Sequence, residues 1–175
     1  MSKTVSFSIK RNIVYEAVKT ETYITGKTEI ANDGSTNAKV YNEQAGDDTF
    51  HEQKMARSFR AAIGSLESNL IEFIDPTNGS ISDSFRQDQQ TITISMVVSD
   101  RFNSSLANTL ANLSQDYIIN QMIALWWVAL KPDLAAQYKA LATESWNSVR
   151  KCLIKMAPAI SQSKYNDIQG TVTTA

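Results

Sequence analysis

The stretch MIALWWVAL, residues 122–130, decides the fold and raises the first question about the chain. Nine successive side chains carry no charge, amide or hydroxyl, and two tryptophans stand side by side. Three explanations are open: a membrane segment, an aromatic ligand pocket, or a core that continues into a partner. A helix needs about 20 apolar residues to span a bilayer. The run is far shorter, so the membrane explanation is rejected.

Amphipathic patterns extend on both sides of this stretch and predict two long helices. Lys131, Pro132 and Asp133 separate them, and a helix tolerates proline best in its first turn. Because the break is so short, the helices are expected to fold back as an antiparallel hairpin. Asp100 or Asn103 is the expected cap of the first helix. The predicted inward residues are Phe102, Leu106, Leu110, Leu113 and Tyr117 in the first helix, and Ala135, Tyr138, Leu141, Ala142, Trp146, Val149, Leu153 and Met156 in the second.

Two segments alternate strictly between apolar and polar side chains: TVSFSI at residues 4–9 and TITISMVV at residues 91–98. This period is typical of a half-buried strand. In the first segment, Val5, Phe7 and Ile9 share one face. Because the two segments match in character, they are expected to pair in one small sheet.

A further helix is predicted from Thr49, where TFHE forms a capping box between Thr49 and Glu52. An apolar stripe follows at helical spacing. Asp75 and Pro76 are expected to end the helix, because the residue before a proline disfavours helical geometry. The stripe consists of Met55, Phe59, Ala62, Ile63, Leu66, Leu70, Phe73 and Ile74.

The segment NIVYEAVKTETYI, residues 12–24, predicts a short helix. Asn12 is its expected cap, and Ile13, Ala17 and Val18 lie near one face. A strand is the competing interpretation, because valine, threonine and tyrosine are common here.

Residues 25–48 are polar and show no sustained period, so they predict a long loop. Residues 158–175 are equally unpatterned and predict an extended tail. The predicted organisation is one helical domain over residues 1–157, including that loop, followed by the tail. The fold class is mainly α with a minor β element: a long antiparallel helical hairpin, a further amphipathic helix and a small two- or three-stranded sheet.

Composition narrows the function further. The chain has 175 residues and a formal net charge of -1, which argues against a dedicated nucleic-acid binder. Its single cysteine and single histidine allow no internal disulfide and no transition-metal cluster. The start, MSKTVSFSIK, lacks the apolar core of a signal peptide, so the protein is expected in a cytosol.

No set of residues predicts catalysis. TGKT at residues 25–28 is similar to the end of a phosphate-binding loop, but Glu21 stands where such a loop needs glycine, so an ordinary glycine turn is favoured. His51 beside Glu52 is interpreted as a solvated helix start rather than an acid–base pair. Cys152 is interpreted as a packed, inert thiol. No enzymatic activity, cofactor or metal is therefore expected.

The adjacent tryptophans, Trp126 and Trp127, differ by about 100° in direction on a helix. We therefore predict that one is buried in its own subunit and that the other lies on the flank, near a subunit contact. Core on both sides of a three-layer domain is the open alternative.

The string DYIINQMIALWWVALKPDLAAQYKALATESWNSVRKCLIKMAP, residues 116–158, resembles small structural proteins of tailed bacteriophages. The resemblance lies in core and turn residues, and it is to proteins encoded near capsid and portal genes in phages of gut Bacteroidales, including the crAss-like group. VYEAVKTETYITGKT, residues 14–28, is also similar to the amino-terminal part of that group. The matching core and turn residues are Tyr117, Ile118, Asn120, Trp126 or Trp127, Lys131, Pro132, Ala135, Tyr138, Ala142, Arg150 and Pro158.

The resemblance implies a head–tail connector, or neck protein: a helical subunit that stacks in rings, commonly twelve-fold, around the DNA channel. The implied partners are further copies of itself, the portal protein and adjacent neck or tail proteins, with non-specific contact to DNA in the channel. The implied location is the neck or tail region of a virion assembled in the bacterial cytoplasm. The loop at residues 25–48 is longer than the linker expected for this group.

A cytosolic adaptor or tail-assembly chaperone that uses the same aromatic surface is the alternative. Arg150, Lys151 and Lys155 stand near the end of the last helix, where cations complement the helix dipole and where they could also touch DNA. The tail, which includes Val172, is expected to dock on an adjacent subunit or ring. The predicted interaction residues are Trp126, Trp127, Tyr138, Trp146, Arg150, Lys151, Lys155 and Val172.

Overall fold

The structure is a computed structural model that describes residues 2–33, 45–46, 49–74 and 90–154, with the backbone alone for residues 27–33. A two-stranded antiparallel sheet accompanies four long helices in these ranges, which confirms the predicted mainly α class with a minor β element. In chain order the elements are β1 (Ser2–Lys10), α1 (Arg11–Asp33), α2 (Thr49–Leu70), β2 (Thr91–Ser99), a 3-10 turn (Ser104–Leu106), α3 (Ala107–Trp127) and α4 (Pro132–Ile154).

The two predicted strands pair with each other, as expected. β1 runs antiparallel to β2 in an unbroken register from Ser2 opposite Ser99 to Lys10 opposite Thr91. The apolar side chains of β1 are buried, and its serines and threonines are exposed. On the exposed face, Ser6 Oγ lies 2.9 Å from Ser95 Oγ. The alternation in sequence therefore specified both the pairing and the buried face.

The register also fixes which backbone groups of β1 point toward β2. Arg11 N donates to Gln90 O at 2.9 Å, which continues the ladder by one hydrogen-bonded pair. Hydrogen-bonded pairs alternate in an antiparallel ladder. The odd-numbered residues of β1 therefore bond to β2, and the even-numbered residues direct their N–H and C=O groups away from it. On the far side of β2, Val97 N donates to Phe73 O at 2.7 Å, in agreement with this alternation.

α1 follows β1 with no intervening loop and is longer than predicted. It begins at Arg11, so Asn12 lies inside the helix and is not its cap. The predicted face was also wrong in part: Val14 and Val18 are buried, whereas Ile13 is 44% exposed. The strand interpretation of this segment is excluded.

The helix continues to Asp33, so the first nine residues of the predicted loop, including TGKT, are helical rather than a glycine turn. α1 is longer than predicted because polar residues complete its buried face. Thr22 is fully buried, and its hydroxyl donates to Val18 O at 2.8 Å. Thr25 does the same to Glu21 O at 2.7 Å. Residues 34–44 and 47–48 of the predicted loop lie outside the described residues.

α2 begins at Thr49, as predicted, and buries the predicted stripe from Met55 to Leu70. It ends at Leu70, whereas the sequence predicted that it would continue to Asp75 and Pro76. Phe73 and Ile74 follow in a turn, with their N–H groups bonded to Leu70 O. Ile74 then forms an isolated antiparallel bridge to Met96. The last two residues of the stripe thus add a short third element to the sheet edge instead of extending the helix.

α3 and α4 form the predicted hairpin. Lys131 N and Leu130 N both donate to Trp127 O, at 2.8 and 3.0 Å, and this closes the turn before Pro132. Asn120 Nδ2 donates to Ser145 Oγ at 3.4 Å, and the rings of Tyr117 and Trp146 lie 6.3 Å apart. The predicted cap of α3 is wrong: its N-cap position is Leu106, and Asn103 instead caps the preceding 3-10 turn by accepting from Ser105 N at 3.1 Å.

Most predicted inward residues of α4 are buried, but Leu141 is 44% exposed, and its predicted burial is wrong. Met156 lies outside the described residues. α3 contacts α1, α2, α4 and β1, so it is the central helix of the described fold. A central helix is apolar on most of its circumference, and this accounts for the uninterrupted run at residues 122–130.

Candidate interaction surface

Trp126 and Trp127 are both buried, with exposed fractions of 2% and 0%. The prediction that one of them lies on the flank is wrong, and both belong to the core, as the alternative interpretation had it. Trp126 packs against α2: the ring of His51 meets it edge-on at 5.1 Å, and Lys54 Nζ lies 4.1 Å from its ring centre. The ring of Trp127 points in a different direction from that of Trp126, and Lys131 Nζ lies 5.2 Å from its centre. Because α3 is central, two different directions on it both lead into core.

The exposed apolar side chains of this stretch lie beside the tryptophans. Leu125 is 37% exposed, Val128 60% and Leu130 48%. Leu125 and Val128 are three residues apart and share one side of the helix end. Phe50, 80% exposed, lines the same open cleft as Leu125. We call Phe50, Leu125, Val128 and Leu130 the hairpin-tip surface.

The cleft beside the hairpin-tip surface has a volume of about 380 Å³ and a cationic border. Lys54 and Arg57 line it, and Arg57 and Arg60 line a neighbouring cleft of about 440 Å³. Lys54 Nζ donates to Trp126 O at 3.0 Å, and burial lowers the pKa of this ammonium group. Among the described lining residues of both clefts none is acidic. An apolar centre with a positive border fits a partner that presents apolar side chains bordered by carboxylates.

Two other predicted interaction residues hold the subunit together. The Tyr138 hydroxyl donates to Glu21 Oε1 at 2.7 Å and lies 3.1 Å from Thr25 Oγ1, so it joins α4 to α1. Burial raises the pKa of Tyr138. Trp146 is half-buried and meets the ring of Tyr117 edge-on. Both side chains thus contact the chain's own helices.

Of the remaining predicted residues, the two that the structure describes lie away from the hairpin-tip surface. Arg150 and Lys151 are exposed near the end of α4, far along the hairpin from its turn. Lys155 and Val172 lie outside the described residues. The six predicted interaction residues that the structure describes are therefore not brought together on one surface.

His51 and Cys152 were assigned no function from the sequence. His51 is half-buried rather than solvated, because its Nδ1 accepts from Gly46 N at 3.0 Å while its ring packs on Trp126. Cys152 is buried with its Sγ 4.0 Å from Leu106 O, as expected of a packed thiol. Within the described ranges no group of three histidine, cysteine, aspartate or glutamate side chains could hold a metal ion. Among the helices of those ranges none has the length and apolar character needed to cross a membrane.

Sequence reasoning missed Phe50, Leu125 and Leu130 because it assigned apolar residues to the core. A usable signal was present. Phe50 lies outside the stripe that starts at Met55, and Leu125 lies between buried residues on the opposite side of α3. Several neighbouring apolar side chains off the buried stripe are the pattern of an interface.

Replacing Tyr138 by phenylalanine is expected to lower the free energy of unfolding by about 1–2 kcal/mol, because Glu21 and Thr25 lose a hydrogen-bond partner. The raised pKa adds a pH signature. Above the ordinary value of 10.0 the unfolded state loses the phenolic proton first, so wild-type stability falls as pH rises toward the folded-state pKa. This part of the decline should be absent in Tyr138→Phe.

Urea unfolding between pH 7 and 11, followed by circular dichroism, measures both effects. Thr25→Val is the matched control, because it keeps the bond between Tyr138 and Glu21 and should keep the pH signature. Equal stability and equal pH profiles for wild type and Tyr138→Phe would contradict the assignment.

The chain matches no protein-family model, no curated protein and no solved structure in the comparisons made.

Proposed function

We propose that this chain is a non-enzymatic virion protein, a head–tail connector subunit that forms a ring around the DNA channel and joins the portal to the tail. The observation that carries the proposal is the hairpin-tip surface, where four large apolar side chains are exposed at one end of the helical hairpin. The sequence resemblance over residues 116–158 supplies the class of assembly.

The exposure of the hairpin-tip surface is the first support for the proposal. Isolated apolar residues are normal on protein surfaces, but a group of them marks an interaction site. Phe50 and Leu125 share a cleft, and Val128 follows Leu125 by one helical turn. Burying such side chains against a partner contributes about 1.5–3 kcal/mol for each one that becomes fully covered.

The position of the hairpin-tip surface in the molecule is the second support for the proposal. A ring subunit needs two different lateral faces that fit each other, together with axial faces for its neighbours. The hairpin-tip surface provides an apolar face at one end of the molecule, and Arg150 and Lys151 provide an exposed basic region near the other end of α4. Contact with the portal, a twelve-fold ring order, a location in the virion neck and non-specific contact of these cations with DNA belong to the same proposal.

The test compares a double substitution in the hairpin-tip surface with a single substitution of an exposed apolar residue elsewhere. Leu125→Gln with Val128→Gln should weaken assembly by about 2 kcal/mol per side chain, or roughly 30-fold each, while the subunit stays folded. Leu141→Gln is the matched control, because Leu141 is equally apolar and 44% exposed but lies on α4 away from the tip. Native mass spectrometry and electron microscopy, with and without portal protein, report assembly.

Two results would contradict the proposal. If wild-type protein remains a monomer or dimer even with portal present, the adaptor or chaperone alternative is favoured. If the tip variant assembles as well as wild type, the hairpin-tip surface is not the contact.

A further inference from the structure

Among the described residues, the outer edge of β1 is a second surface without a partner. β1 has nine residues in an unbroken register, with no proline and no bulge. Thr4, Ser6 and Ser8 direct their N–H and C=O groups away from β2, as the alternation of the ladder requires. Within the described part of the chain these backbone groups have no hydrogen-bond partner.

Natural sheets usually protect such an edge with a charge, a proline or a bulge, since it otherwise pairs with another chain. The two lysines of β1 do not protect its centre. Lys3 Nζ is drawn to Phe102 O and Ser104 Oγ at the 3-10 turn, and Lys10 stands at the end of the strand. The edge between them carries hydroxyl side chains alone on its exposed face, so an added strand meets no electrostatic barrier.

The last described residues of the chain lie on the opposite side of the sheet. α4 ends at Ile154, and Leu153 and Ile154 line a cleft of about 370 Å³ together with Phe73 and Val97. Val97 bonds to Phe73 on the outer edge of β2. The segment after residue 154 therefore starts from the β2 side, whereas the unpartnered edge belongs to β1.

We propose that residues 170–175 of a neighbouring copy add as a strand to the outer edge of β1. Donor and acceptor then lie on opposite sides of each subunit, and such a head-to-tail contact can close into a ring. The inference rests on the proposed function in that it needs the chain to assemble with itself. It names the segment and the edge that make one of the lateral contacts.

Length and composition fit this occupant. Residues 155–169 span up to about 50 Å when extended, and a domain of this size is roughly 40 Å across. The segment GTVTTA at residues 170–175 is uncharged and rich in residues that favour strands. In an added strand Thr171 and Thr173 would share the face of the β1 hydroxyls, and Val172 the face of Val5, Phe7 and Ile9. A strand of this length forms about six main-chain hydrogen bonds with the edge.

The alternation of the ladder supplies the test. Ser6→Pro removes an N–H that faces away from β2, so it blocks the edge and leaves the internal ladder intact. Ser6→Ala is the matched control, because it loses the same hydroxyl contact to Ser95 but keeps the N–H. We expect Ser6→Pro to be a folded monomer and Ser6→Ala to assemble like wild type. If Ser6→Pro does not fold, Ser8→Pro serves as the edge variant, because the N–H of Ser8 also faces away from β2.

A mixing experiment identifies the donor. Val172→Pro with Thr173→Pro disables the tail and leaves the edge, so it should be monomeric alone. Mixed with Ser6→Pro, it should give a dimer and nothing larger, because one intact edge meets one intact tail. If the tail variant assembles like wild type while Ser6→Pro does not, two β1 edges pair with each other and the inference is overturned.

A peptide of residues 166–175 separates this inference from the proposed function. It should bind the full-length tail variant, whose edge is vacant, and bind at least tenfold more weakly when Ser6→Pro is added to that variant. Fluorescence anisotropy measures this without any ring. Equal binding to both proteins would overturn the strand contact even if rings form. Peptide binding with a wild-type protein that never exceeds a monomer would mean that the tail docks on its own subunit, which overturns the inference as well.

Discussion

Trp127→Ala is expected to lower the free energy of unfolding by about 3–5 kcal/mol, which is the range for removing a fully buried large aromatic side chain. The side chain has an exposed fraction of 0%. Its Nε1 has no hydrogen-bond partner among the described residues, so the loss arises from packing and from the cavity left behind rather than from a polar contact. A change this large is at least about a fifth of the roughly 5–15 kcal/mol that stabilises an ordinary domain.

Urea unfolding followed by circular dichroism measures the change. Val128→Ala is the control: Val128 is adjacent in sequence but 60% exposed, and it should change stability by less than about 0.5 kcal/mol. The two residues should separate stability from assembly, since Trp127 supports the fold and Val128 belongs to the hairpin-tip surface. A Trp127→Ala protein that keeps wild-type stability and loses assembly would restore the interpretation of this tryptophan as a contact residue.

Phe7→Pro is expected to destabilise the domain by about 4 kcal/mol or more, because it removes two interactions at one position. The ring is buried, with 4% exposed. The N–H of Phe7 lies in a hydrogen-bonded pair with Ile94, as the register and the bond from Arg11 to Gln90 require. Proline fills neither role.

Its neighbour provides the contrast. Ser6→Pro, one residue away, should cost the subunit no more than about 1 kcal/mol, because its N–H lies outside the ladder between β1 and β2. Phe7→Ala separates the two contributions, since it removes the ring and keeps the ladder. Thermal unfolding of the three variants gives the comparison, and similar losses for Ser6→Pro and Phe7→Pro would show that the alternation assigned to β1 is wrong.

Several elements could be predicted because short-range patterns determine them. Alternation in TVSFSI and TITISMVV identified the pairing strands, and the short break before Pro132 required a hairpin. The stripe from Met55 to Leu70 was equally clear, since each member recurs at helical spacing. The buried face is apolar throughout in the two strands, and in α2 it is apolar except for Ser58, so the pattern is nearly complete in the sequence.

The errors arose where a buried face includes polar residues or where several elements converge. Thr22 is buried in α1 because its hydroxyl bonds to Val18 O and accepts from Ala45 N, contacts that an apolar period does not reveal. The burial of both tryptophans depends on the central position of α3, which is a property of the assembled fold. The hairpin-tip surface was missed because its apolar residues were assigned to the core.

The direct junction between β1 and α1 has a mechanical consequence. Arg11 closes the strand ladder through its N–H and is also the first residue of a 23-residue helix, so no flexible hinge separates the two elements. Its guanidinium group lies 4.8 Å from the ring centre of Tyr15, which stiffens the junction. A helix of this length acts as a lever of about 35 Å, so that a tilt of 5° in β1 displaces its far end by roughly 3 Å. A force on the outer edge of β1 therefore moves the far end of α1 together with the strand, as one rigid body.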